Sequence, residues 1–120
     1  MDLQIYIDDA DLDDGSLNEM IKPVSESISA WIGENKKSVQ LLAQDSSEGD
    51  KFKLGMSIQV KSKYKLKDPL NFLYSIAKEQ QCEFVIAIVS SDKGTTEDIC
   101  YFGYEEGRPD LFEIANYLEL

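Results

Sequence analysis

Aspartates at alternate positions are the feature of this sequence closest to a chemical motif. Asp9, Asp11 and Asp13 form a D-x-D-x-D run, and carboxylate oxygens at this spacing are the ligands with which a calcium loop begins. Such a loop also needs a glycine at its sixth position and a glutamate at its twelfth, where this chain has Asp14 and Met20. We therefore interpret the run as a solvated acidic loop, and we predict no metal site and no cofactor.

The residue types needed for catalysis are sparse. The chain has no histidine, which removes the usual proton shuttle at neutral pH and the usual base of a nucleophilic triad. No base accompanies the serines and threonines of the segment 90–96, and nothing picks one pair out of the 23 acidic residues for acid–base work. We predict that the protein is not an enzyme and that it has no catalytic residues.

Size and charge limit the remaining classes of function. With 120 residues, of which 42% are hydrophobic, the chain fits one domain covering 1–120. A formal net charge of -11 repels nucleic acid and anionic membranes and favours a basic protein partner. The longest apolar run, 84–89, is too short to cross a bilayer, and the N-terminal residues lack the pattern of a signal peptide. We predict a cytoplasmic location and reduced, buried thiols at Cys82 and Cys100.

Hydrophobic periodicity supplies the elements that must position these charges. Apolar residues at every second position predict strands at 3–7, 39–43 and 51–67. A near-continuous apolar run predicts a fourth strand at 82–89, and a fifth is predicted at 98–104. Helical spacing predicts a first helix from Leu17 to the glycine at 33, opened by the capping box of Ser16 and Glu19 and kinked at Pro23. A second helix is predicted to start at Asp68, whose carboxylate would cap it, and a third after Pro109.

The resulting order, β-α-β-β-α-β-β-α, predicts an α+β fold with a single antiparallel sheet of five strands. Its first six elements match the ferredoxin-like motif, and the last strand and helix are additions. This topology places the strands in the order 5-4-1-3-2, with every neighbouring pair antiparallel. Both faces of strands 4 and 5 are apolar or aromatic, so either the last helix covers the second face or that face meets another molecule.

The topology also separates the charges. The ends of strands 1, 2 and 5 gather carboxylates at one pole, while the lysines of 61–67 lie at the far pole together with Asp68, Asp92, Glu97 and Asp98. The lysine face could bind phosphate or RNA, but lysine on an exposed strand also prevents sheets from pairing edge to edge. Net acidity favours the second interpretation.

A resemblance to a known family comes from the segment 83–120, which has the sequence EFVIAIVSSDKGTTEDICYFGYEEGRPDLFEIANYLEL. This segment resembles bacterial immunity proteins of the contact-dependent and polymorphic toxin systems. The resemblance implies a small acidic cytoplasmic protein that binds one cognate toxin domain, often a cationic nuclease, and blocks its active site or its substrate.

We therefore expect a non-enzymatic acidic inhibitor of a basic protein, acting as a monomer or a homodimer. The charge argument selects its partner-binding residues, with the acids steering the partner and the tyrosines anchoring it. They are Asp8, Asp9, Asp11, Asp13, Asp14, Glu105, Glu106, Tyr6, Tyr101 and Tyr104. Two alternatives remain: a regulatory ligand-binding module that dimerises through its sheet, and a DNA-mimicking protein directed at a DNA-binding enzyme.

Overall fold

The computed structural model describes residues 1–8, 14–33, 39–45, 52–90 and 94–119. In these ranges the elements follow the predicted order, with a short 3-10 helix added before the second α-helix. They are β1 (Asp2–Asp8), α1 (Asp14–Ile32), β2 (Val39–Asp45), β3 (Phe52–Gln59), the 3-10 helix (Lys63–Leu66), α2 (Lys67–Gln80), β4 (Glu83–Ser90), β5 (Thr95–Gly103) and α3 (Leu111–Tyr117). The first helix begins at Asp14 and not at Leu17, and Pro23 lies within it on an exposed position.

The sheet has the order β2-β3-β1-β4-β5, and each neighbouring pair of strands is antiparallel. The predicted fold class and strand order are thus confirmed. One irregularity interrupts the pairing of β4 with β5. Ile86 pairs with Cys100 and Ala87 with Asp98, so that Ile99 is an extra residue without a partner, which is a β-bulge.

One face of the sheet carries the hydrophobic core. Leu3, Ile5 and Ile7 of β1 alternate inward and are at most 2% exposed, as period two requires of a half-buried strand. Phe84 of β4 and Phe102 of β5 lie beside them, with ring centroids 5.6 Å apart. The helices complete the core with apolar stripes, which are Met20, Val24 and Ile28 of α1 and Leu70, Leu73, Ile76 and Ala77 of α2.

The predicted third strand was too long, because β3 ends at Gln59 and the chain then turns. Ser62 begins the 3-10 helix, and its hydroxyl accepts a hydrogen bond from the Tyr64 N–H at 3.2 Å. Leu66 is buried, as alternation requires, but Tyr64 is 68% exposed. Over so few residues, a strand and a 3-10 helix both place Leu66 on the buried side. The sequence pattern therefore could not distinguish the two structures.

The predicted cap of the second helix was also wrong. α2 begins at Lys67 with Leu66 at the N-cap position, and no side chain caps it. The Lys67 N–H instead donates to the carbonyl of Tyr64, because the 3-10 helix continues directly into α2. The preceding turn thus satisfies the first N–H of α2 without a side-chain cap.

The last helix packs on the same side of the sheet as α1 and α2. Ile114 and Leu118 belong to the same core cluster as Phe102, and the Arg108 guanidinium lies 5.7 Å from the ring centroid of Tyr74 in α2. Of the two alternatives for the second face, the one in which the last helix covers it is therefore excluded. That second face, which we call the open face, carries none of the helices in the described ranges. None of those helices is both long enough and apolar enough to span a membrane.

Candidate partner-binding surface

An acidic end of the molecule is created by the strand register. Asp8, the last residue of β1, pairs with Glu83 of β4, which in turn pairs with Gly103, the last residue of β5. Neighbouring strands lie about 4.8 Å apart, so the ends of β1 and β5 are about 10 Å apart. The turn that follows β5 carries Glu105 and Glu106. The predicted convergence of Asp8 with these two glutamates at one end of the sheet is thus present.

This turn after β5 is closed by two glycines. Gly103 and Gly107 exchange backbone hydrogen bonds of 3.0 and 2.8 Å, and both have positive φ angles, +150° and +96°. A β-carbon at Gly103 would lie 2.6 Å from the carbonyl oxygen of Cys82. Glycine at 103 is therefore required both by its backbone conformation and by the close approach of the neighbouring chain.

Glu83 holds the turn in place. Its carboxylate accepts hydrogen bonds from the backbone N–H of Glu105, at 2.9 and 3.0 Å, and from that of Glu106 at 2.6 Å. Such charge-assisted bonds are stronger than neutral ones. Sequence analysis missed this residue, although a carboxylate directly before the apolar run 84–89 was an available signal. Asp8, Glu83, Glu105 and Glu106 are called the acidic end below.

On the open face, a side chain of β1 crosses β4 to reach β5. The Tyr6 hydroxyl donates a 2.7 Å hydrogen bond to Oδ1 of Asp98, although β4 separates the two strands. Val85 and Ala87 of β4 are only 3% and 0% exposed, and the Tyr6 side chain spans the strand that carries them. Burial, and then the bond to Asp98, raise the pKa of Tyr6 above its usual value of 10.0.

Asp98 was placed by sequence analysis among the acids of the far pole, which is wrong. It pairs with Ala87 in the middle of β4 and lies on the open face, because the bulge at Ile99 shifts the alternation of β5 by one residue. Without that extra residue, Asp98 and Tyr101 would lie on opposite faces of the strand.

The three predicted tyrosines occupy two places. Tyr6 and Tyr101 share one row of the open face, since both pair with Val85. Tyr101 is 50% exposed, and its pKa is raised by partial burial and by the nearby carboxylates of Asp98 and Asp8. Tyr104 is 52% exposed and belongs to the turn at the acidic end, where its N–H donates to the carbonyl of Cys82 at 3.0 Å.

A lysine of β3 also contributes to this surface. The Nζ of Lys53 lies 4.9 Å from the ring centroid of Tyr6 and donates to Oε1 of Gln4 at 3.3 Å. A cation is attracted to the face of an aromatic ring by the ring's quadrupole. The open face therefore already combines a ring and a cation within the chain.

Other predicted features are only partly described. Asp9, Asp11 and Asp13 lie outside the described residues, and Asp14 is the first residue of α1. Among the residues that the structure describes, no three histidine, cysteine or acidic side chains are grouped to hold a metal ion.

Both cysteines are free thiols in the structure. Cys82 is buried and Cys100 is half-buried. Burial raises the pKa of Cys82 to about 12 and that of Cys100 to about 11, with smaller contributions from Glu83 and Glu113 respectively. Both groups stay protonated at neutral pH, so neither is a thiolate nucleophile.

Comparison of the chain with protein-family models, curated proteins and solved structures finds no match.

Proposed function

We propose that this protein is a non-enzymatic acidic binding protein that captures a basic protein with its acidic end. In line with the resemblance of the segment 83–120, the partner is a cognate toxin domain that the protein neutralises in the cytoplasm. The observation that carries the proposal is the register of Asp8, Glu83 and Gly103 across three strands, because it brings the ends of β1 and β5 to one place.

Electrostatic steering supplies the physical reason for such a surface. Carboxylates gathered at one end of a chain of net charge -11 attract a cationic protein and orient it before contact. The lysines that follow β3 (Lys61, Lys63, Lys65 and Lys67) lie at the opposite end of the strands. A charge distribution of this kind raises the association rate more than the final affinity.

The local structure favours a fixed surface over a flexible tail. Glu83 ties the backbone of Glu105 and Glu106 to β4, so the turn loses little conformational entropy when a partner binds. Tyr104, in the same turn, offers a half-exposed aromatic ring of the kind that often anchors protein interfaces.

The test compares two variants that change the net charge equally. In Glu105→Lys/Glu106→Lys the acidic end is reversed, and in Glu26→Lys/Glu97→Lys two exposed glutamates are reversed elsewhere. Glu97 pairs with Ile88, five residues or about 17 Å along β4 from Glu83. The partner is first captured from native cells with the wild-type chain and identified.

Association of that purified partner is then measured at low and high salt. We expect the acidic-end variant to associate at least tenfold more slowly at low salt, and the control variant to lose much less, because the partner contacts the acidic end. Equal slowing in both variants, or capture of an acidic partner, would contradict the proposal.

The open face supports a second candidate, the regulatory module that dimerises through its sheet. In its favour, the described part of the chain places no helix on this face and leaves Tyr101 half-exposed. Sedimentation equilibrium between micromolar and millimolar concentrations tests it. A concentration-dependent dimer that Tyr101→Lys abolishes would favour this candidate over the inhibitor.

A further inference from the structure

Five neighbouring residues of the open face lie next to the acidic end, and we call them the tyrosine platform: Tyr6, Val85, Ala87, Asp98 and Tyr101. Val85 and Ala87 are buried, and the Tyr6 ring is held by the hydrogen bond of its hydroxyl to Asp98. The platform is therefore ordered before anything binds to it, which lowers the entropic cost of binding.

The platform combines the half-exposed ring of Tyr101 with a carboxylate oxygen of Asp98. Within the described residues, no cation lies over Tyr101 and no donor reaches Oδ2 of Asp98, whereas Oδ1 accepts from Tyr6. Asp8 and Asp98 both lie close enough to Tyr101 to raise its pKa. This combination of an aromatic face with carboxylates at its rim is complementary to a cation.

The chain already contains one contact between a cation and a tyrosine ring on this face. Lys53 lies 4.9 Å over the ring of Tyr6, while its ammonium donates to Gln4. Tyr101 lies in the same row as Tyr6, but its ring is more exposed. A cation from another molecule would contact the Tyr101 ring as Lys53 contacts that of Tyr6, with the carboxylate of Asp98 nearby.

We infer that the tyrosine platform receives an arginine side chain of the basic partner, which stacks on Tyr101 and hydrogen-bonds to Asp98. This inference rests on the proposed function and names the group that is recognised. A guanidinium is planar, stacks on aromatic rings and binds carboxylates through several N–H groups, whereas a lysine ammonium is compact and strongly hydrated. An exposed ring with a carboxylate near it therefore favours arginine.

The platform and the acidic end form one continuous surface. Asp8 lies two residues after Tyr6 on the same face of β1, about 7 Å along the strand. The carboxylates of the acidic end attract the partner over a distance, and the platform then holds one of its side chains. Steering acts on the association rate, and the platform acts on the dissociation rate.

The inference is tested by titrating the isotope-labelled chain with two capped pentapeptides, Gly-Arg-Gly-Arg-Gly and Gly-Lys-Gly-Lys-Gly, at low salt. In the NMR spectrum we expect the arginine peptide to shift the amides of Ala87, Asp98 and Tyr101 and to bind at least threefold more tightly than the lysine peptide. Tyr101→Ala and Asp98→Asn should each weaken the arginine peptide about fivefold, and Tyr101→Phe should retain most of its binding.

Tyr64→Ala serves as the control, because Tyr64 is an exposed tyrosine in the lysine-rich 3-10 helix. Equal binding of both peptides, unaffected by Tyr101→Ala, would overturn the inference, and so would no binding at all. Shifts confined to the Glu105 and Glu106 amides would overturn it while supporting the proposed function. If the platform amides shift with protein concentration in the absence of peptide, the surface binds a second copy of the chain, and the inference is overturned.

Discussion

The two faces of the sheet bury their apolar residues in different ways. On the helix-covered face, large side chains such as Phe84 and Phe102 pack under three helices. On the open face, the small residues Val85 and Ala87 are buried on a strand that Tyr6 crosses to reach Asp98. The first face is stabilised by hydrophobic burial and close packing. On the second face, the ring of Tyr6 covers apolar residues while its hydroxyl makes a hydrogen bond.

This difference suggests that the helix-covered face determines stability and that the open face serves recognition. Removing a large buried side chain leaves a cavity that the surroundings only partly fill, whereas a half-exposed ring can be removed with little loss of packing. We therefore expect substitutions on the helix-covered face to change the free energy of unfolding, and substitutions on the open face mainly to change binding.

The sharpest test of the comparison is Phe84→Ala against Tyr101→Ala. Phe84 is fully buried, and its truncation should lower the free energy of unfolding by about 3–5 kcal/mol. Tyr101→Ala should cost less than about 1 kcal/mol. Urea unfolding followed by circular dichroism measures both, and Phe84→Leu gives an intermediate point. Similar losses in the two alanine variants would mean that the open face carries as much of the stability as the core.

A second test concerns a position of the open face, Gly55, at which a substitution should destabilise the protein as much as one in the core. Gly55 pairs with Tyr6, and a β-carbon there would clash with the Ile5 carbonyl oxygen and lie 2.6 Å from the Tyr6 Cα. Because both atoms belong to the backbone, Gly55→Ala must move β1 or β3, at a cost of about 3 kcal/mol.

Gly33→Ala is the matched control for this change. Its β-carbon would meet nothing closer than 3.4 Å, and its effect should stay within about 1 kcal/mol. A Gly55→Ala protein as stable as Gly33→Ala would show that the two strands are not so closely apposed.

A third test concerns the acidic end. Glu83→Ala removes the acceptor of the Glu105 and Glu106 N–H groups, and we expect a loss of about 1–2 kcal/mol. Amide hydrogen exchange should accelerate at Glu105 and Glu106 much more than in the core strands. Glu97→Ala, at an exposed glutamate of β5, should change neither quantity, and unchanged exchange at both turn amides would refute the role given to Glu83.

The smallest expected effect is that of Tyr6→Phe, which removes only the hydroxyl that bonds to Asp98. At pH 8 it should cost about 1 kcal/mol. Tyr117→Phe, which removes a hydroxyl bonded to Glu113 on the surface of α3, should cost clearly less, because water replaces an exposed hydrogen bond.

The stability difference between wild type and Tyr6→Phe should also depend on pH. The pKa of Tyr6 is raised in the folded protein above 10.0, so its contribution is fully present below pH 10 and is lost as the pH rises from there toward the folded pKa. The stability difference between wild type and Tyr6→Phe should therefore shrink above pH 10. The two cysteine thiols titrate alike in both proteins and cancel in this difference. A constant difference from pH 8 to pH 11 would contradict the assignment.

The sequence determined the features that depend on neighbours along the chain. Alternation in β1 identified its buried face, and the order of strand and helix signals led to the correct arrangement of all five strands. The convergence of Asp8 with Glu105 and Glu106 followed as well, because an antiparallel sheet of known order fixes which strand ends meet.

Tertiary structure decided the features that depend on contacts between distant residues. Tyr6 and Asp98 are 92 residues apart in sequence, and they meet only because a bulge shifts the alternation of β5, which no local pattern reveals. The side of the sheet taken by α3 depends on the packing of Ile114 and Leu118 into the core cluster shared with β4, β5 and α2. Local spacing fixes the face on which a side chain lies within its own element, but packing between elements determines what covers that face.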